Sequence, residues 1–156
     1  MKYYIIGIIA LVLIGVGLFM FFGKKDNKKE LKDLRNLKFH YTSGYAIYAY
    51  TNYEINYDDK YTITIKPYGI PDEEAKTYDI SEEEIEKILE ILNKYDVKKW
   101  DGFRKSDKNV LDGDSFSFSA RFEDGTSISA SGYVSYPTNY SNVKKELIEI
   151  FNNGRE

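Results

Sequence analysis

The residue types in this sequence best suited to chemistry gather around Trp100, Asp101, Asp112 and Asp114. The first two open the run Trp100-Asp101-Gly102-Phe103, where a tryptophan and a phenylalanine flank a tight turn. Two rings so placed can form one wall of a ligand pocket, with the carboxylates of Asp112 and Asp114 as its polar groups. The same residues admit a plainer role, in which Trp100 closes one end of a core and Asp101 caps backbone amides. Asp112-Gly113-Asp114 resembles the start of a calcium loop, but Phe116 stands where the third oxygen ligand belongs. The run is therefore read as a turn leading into a strand, and no metal site is expected.

No catalytic apparatus accompanies these residues. His40 is the only histidine and sits beside no nucleophile-elbow motif, and the chain has no cysteine. Thiol catalysis, disulfides and cysteine zinc sites are excluded, and no phosphate loop, HExxH or dinucleotide fingerprint occurs. The expectation is a non-enzymatic protein with no cofactor. Its net charge of −3 conceals an asymmetry: residues 24–38 carry seven bases against three acids, and residues 39–156 fourteen bases against twenty-two acids. A domain this acidic makes poor contact with phosphate backbones, so nucleic acid is not an expected partner.

The elements that must position these residues begin with Tyr3–Phe22, twenty residues without a charge, flanked by Lys2 and by Lys24 and Lys25. At about 1.5 Å of rise per residue such a run spans roughly 30 Å, the hydrocarbon core of a bilayer. Cleavage after Gly15-Val16-Gly17 would leave LFMFF as a new N-terminus, so the run is read as an uncleaved transmembrane helix, residues 1–23, in contact with lipid over 3–22. Its glycines form no GxxxG, and a monomer is expected. The cations that follow the run draw the domain to the cytoplasm, whereas Asn139-Tyr140-Ser141 is a glycosylation acceptor usable only outside, and both sides stay open. Residues 24–38, with Leu31, Leu34 and Leu37 spaced by three, read as a charged juxtamembrane stalk that continues the helix.

Residues 39–156 read as one domain. Odd positions from Tyr45 to Tyr57 read Tyr45, Ile47, Ala49, Thr51, Tyr53, Ile55 and Tyr57, a period of two that predicts a strand, and the phase resumes at Tyr61, Ile63 and Ile65. A turn at Asp58-Asp59-Lys60 would pair Tyr57 with Tyr61 and Ile55 with Ile63. After a short strand at 76–80, Ser81 and Glu84 form a capping box for an amphipathic helix over 82–95. A second hairpin turns at Glu123-Asp124-Gly125, pairing Phe118 with Ala130 on one face and Ser119 with Ser129 on the other. Ser141 or Asn139 then caps a last helix with Val143, Leu147, Ile150 and Phe151 on its apolar face. The predicted fold is α+β: two layers, an antiparallel sheet of two hairpins with two helices on its aromatic face.

The runs KWDGF, VLDGDSFSFS, FEDG, ISASGY and YPTNY, within residues 85–151, resemble a set of small membrane-anchored or secreted bacterial and archaeal proteins that carry an uncharacterised domain. Some members look like lipoproteins, which implies a domain outside the membrane; this chain has no lipobox cysteine. The resemblance implies no activity and no catalytic residues. Two functions fit the whole reading. One is a membrane-tethered interaction module that binds a protein or an envelope polymer through the Trp100–Asp114 region or the serine face. The other is a tethered small-molecule or metal-ion sensor that uses Asp101, Asp112 and Asp114.

Overall fold

Where large and small residues alternate in the sequence, a computed structural model places strands; it describes residues 30–42, 51–67 and 69–155. The chain divides into two units, Met1–Glu30 and Leu31–Glu156, and the described fold belongs to the second. The expected anchor over 3–22 lies outside the described residues, as does the start of the first predicted strand, 45–50. Among the described residues no helix is long and apolar enough to cross a membrane.

The fold is α+β. In chain order it runs β1 (Leu34–Tyr41), β2 (Thr51–Tyr57), β3 (Tyr61–Pro67), β4 (Lys76–Asp79), α1 (Glu82–Lys94), β5 (Arg104–Ser106), β6 (Ser115–Phe122), β7 (Ser127–Tyr133) and α2 (Tyr140–Phe151). The strands form one sheet in the order β4-β3-β2-β1-β6-β7-β5. Both hairpins take the register that keeps their large residues on one face. Tyr57 lies opposite Tyr61, Ile55 opposite Ile63 and Tyr53 opposite Ile65. In the second hairpin Phe118 faces Ala130, Ala120 faces Ile128, and Ser119 faces Ser129.

Two corrections to the expected architecture follow. The charged stretch 24–38 is not a stalk throughout, because Leu34–Tyr41 is the central strand, pairing with β2 on one edge and β6 on the other. The domain thus begins by Leu31 rather than at residue 39. A shift of register between Leu34 and Asn36 explains why the pattern misleads. Leu34 and Leu37 would lie on opposite faces of a regular strand, but the bulge returns both to the core, where each is fully buried. Leu31 is buried just before it, its N–H donating to Asn93 Oδ1 at 2.8 Å and its carbonyl accepting from Asn93 Nδ2 at 2.9 Å. The second correction is that the sheet is mixed, not wholly antiparallel: β5 runs parallel to β7. Arg104-Lys105-Ser106 has no apolar alternation, and backbone bonds hold it to the edge, Ser131 N–H to the Phe103 carbonyl (2.9 Å) and Asp107 N–H to the Tyr133 carbonyl (3.0 Å).

One face of the sheet carries the core. Phe39, Ile55, Ile63, Phe118, Ala120 and Ile128 pack in one cluster with Ile88 and Leu92 of α1 and Val143, Leu147 and Phe151 of α2. The Ser81–Glu84 capping box is complete, a motif contributing about 1 kcal/mol. At α2 the expected side-chain cap is absent: Asn139 occupies the N-cap position in a left-handed conformation (φ 65°) and makes no capping bond, and Ser141 lies within the helix.

Candidate functional site

The structure separates the four residues that the sequence singles out. Trp100 is 2% exposed and stands edge-on to Phe118 (ring centroids 5.5 Å apart) and Phe116 (6.4 Å), while its Nε1–H donates to the Thr138 carbonyl at 3.0 Å. It is a core residue and not a pocket wall. Asp101 accepts from the Ser129 N–H at 2.9 Å and fastens the turn after Trp100 to β7. Arg104 adds to that fastening through the Ser129 carbonyl and hydroxyl, both at 2.8 Å. Asp112 is exposed on the connection into β6. Asp114 lines a cleft that contains neither Asp101 nor Asp112. Among the described residues no group of three or more His, Cys, Asp or Glu stands close enough to hold a metal ion.

Two surfaces emerge instead. The first is the sheet face turned away from the helices. Strand pairing aligns Thr77, Thr64, Glu54, Lys38, Ser119 and Ser129 in one row across six strands. A second row runs through Asp79, Thr62, Asn56, Asn36, Arg121 and Ser127, and a third through Lys66, Asn52, His40, Ser117, Ser131 and Arg104. Neighbours along the rows already interact: Thr64 and Thr77 hydroxyls at 2.9 Å, Lys38 and Glu54 at 2.9 Å, Asn36 Nδ2 donating to Asn56 Oδ1 at 2.7 Å. The rows contain no phenylalanine, tyrosine or tryptophan. These three rows offer hydrogen bonds in a regular lattice, Asn36 excepted because it is buried, and Tyr133 follows Ser131 on the same face of β7, opposite Ser115.

The second surface is a cleft of about 460 Å³ where β6 begins and α2 starts, lined by Thr42, Asp114, Tyr136, Tyr140, Ser141 and Lys144 among others. Val134, β-branched yet at φ 50°, reverses the chain after β7 and places Tyr136 over the cleft. Its N–H donates to the Asp114 carbonyl at 2.9 Å. The turn leaves no room beside it: a Cβ on Gly132 would stand 2.0 Å from the Ser135 carbonyl oxygen. Tyr136 and Tyr140 then stack with centroids 4.7 Å apart and planes 18° apart. Lys144 Nζ lies 3.9 Å from the centre of the Tyr41 ring. Burial holds the Lys144 ammonium below its ordinary value against the opposing pull of Asp114, and pushes the Tyr41 hydroxyl up to about 12 and that of Tyr140 higher still.

No protein-family model matches this sequence, and neither does any curated protein. The geometry alone therefore speaks for these surfaces. Sequence reasoning reached Asp114 and the serine pairs, but not Tyr136, Tyr140 and Lys144 as a group. The usable signal was YPTNY, a tyrosine pair bracketing a proline turn just ahead of a helix.

Proposed function

We propose that this chain is a non-enzymatic interaction module, tethered to the cell membrane by a transmembrane helix over Tyr3–Phe22, that holds a polar polymer of the cell envelope against its open sheet face. The observation that carries this is the three-row lattice of hydroxyl, amide and charged side chains on the face away from the helices. Protein interfaces depend on buried aromatic anchors, and the rows supply none. A hydrated polymer bearing repeated hydroxyl or amide groups asks only for donors and acceptors at regular intervals, which neighbouring strands about 4.8 Å apart provide. The reading of Asp101, Asp112 and Asp114 as a converging sensor site has no comparable support, since their surroundings differ.

The test uses the full chain in lipid nanodiscs, sedimented with insoluble envelope polymer from the producing cells. Thr64→Tyr and Ser119→Tyr place a bulky ring in the middle row while keeping residues that suit a strand. Co-sedimentation is expected to fall about tenfold in the double variant at unchanged melting temperature. Absence of co-sedimentation, or equal binding by the variant, sinks the proposal.

A further inference from the structure

The cleft beside α2 differs from the sheet face in having an aromatic floor. Tyr136 is 39% exposed, and the ring behind it, Tyr140, is 7% exposed and fixed against Phe116 with centroids 4.5 Å apart. Tyr136, stacked on that ring with centroids 4.7 Å apart, offers apolar area and has little side-chain freedom left to lose on binding. The same cleft is lined by Asp114, Ser141 and the half-buried Lys144, so acceptors and donors both accompany the aromatic surface. The charges cancel: Asp114 and Glu149 face Lys144 and Lys145. An ionic ligand meets as much repulsion as attraction there, whereas a neutral ring with C–H groups on its faces and hydroxyls at its rim meets complementary groups on every side.

We propose that this cleft is a second binding site, and that it takes one ring of a neutral saccharide. The ring packs its C–H face on Tyr136 and places hydroxyls on Asp114, Ser141 and Lys144. This shares with the envelope-polymer reading only the class of ligand, and either can fail without the other.

Titration calorimetry on the full chain in nanodiscs tests it, with a neutral glucan hexaose and an N-acetylglucosamine hexamer as probes and a galacturonate hexamer as the charged comparison. At least one neutral probe is expected to bind better than the charged one, and Tyr136→Ala to weaken that binding about tenfold. Should Tyr136→Ala lower the melting temperature, Ser141→Trp supplies the same test by filling the cleft from a helix position. Glu73→Gln, exposed on the turn before β4 and part of neither surface, is expected to leave oligosaccharide binding unchanged. The proposal is overturned if neither neutral probe binds, if the galacturonate hexamer binds best, or if binding responds to Ser119→Tyr and not to the cleft variants. Loss of polymer co-sedimentation with oligosaccharide binding intact would instead remove the sheet-face reading and keep the cleft.

Discussion

At Trp100 a single side chain joins three parts of the domain, since its ring touches Phe116 and Phe118 of β6 and Tyr140 of α2 while its N–H is satisfied by Thr138. Trp100→Ala is expected to cost roughly 3–5 kcal/mol in chemical denaturation, and Trp100→Phe less, because most of the ring's volume survives. A near-neutral Trp100→Ala would return that ring to the role of a ligand wall. Glu84 is the other residue with a measurable signature. Burial pushes its carboxyl up, but the Ser81 amide and hydroxyl together with Arg155, 2.8 Å away, outweigh that and hold it below the ordinary 4.5. A carboxyl whose folded value is depressed stabilises the fold above its unfolded value and loses that contribution as pH falls through the folded one. The gap in melting temperature between the native chain and Glu84→Gln is therefore expected to be widest at pH 7 and to close between about pH 5 and pH 3. A gap that does not change with pH would mean that the carboxylate's charge contributes nothing there.

The element on which the domain depends most is β1, which places Leu34, Leu37 and Phe39 in the core and bridges the two hairpins. A fragment beginning at residue 31 is expected to give a cooperative melt and dispersed amide resonances. One beginning at residue 39 would lack Leu31, Leu34 and Leu37 and is expected to remain unfolded; a folded 39–156 fragment would contradict the central place of this strand. The reason β1 was hard to read in the sequence is physical. Its bulge replaces the two-residue period with a spacing of three, and Arg35 and Lys38 imitate the flank of a membrane anchor. The hairpins were legible, down to their register, because unbroken alternation runs into turns at Asp58-Asp59-Lys60 and Glu123-Asp124-Gly125. α1 announced itself by its capping box. β5 could not be read at all, since it joins the sheet through backbone bonds. Of the cleft, the sequence displays only Asp114, because Thr42 reaches it through the pairing of β1 with β6, Asp114 through that of β6 with β7, and Tyr136, Tyr140 and Lys144 through the turn into α2.

For the whole molecule, the envelope-polymer reading requires the domain to face outward from the membrane. Protease added to intact cells is then expected to cleave the domain, and alkaline carbonate to leave the full chain in the membrane pellet, with removal of residues 1–23 releasing it. Protection of the domain in intact cells would exclude the outer polymer as its partner. The order of the strands carries one more consequence, for how the protein is made. β1 leaves the ribosome first among the strands, yet its second neighbour, β6, lies about eighty residues later, as the pairing of Phe39 with Phe118 shows. At roughly 5–20 residues per second, synthesis of that interval takes on the order of 4–16 s. During this time one edge of the central strand stands open, with Leu37 and Phe39 beside it, available to any other extended chain. The high contact order of that single pairing makes it the expected slow step of folding, and the moment at which a nascent domain is most exposed to aggregation or most in need of a chaperone.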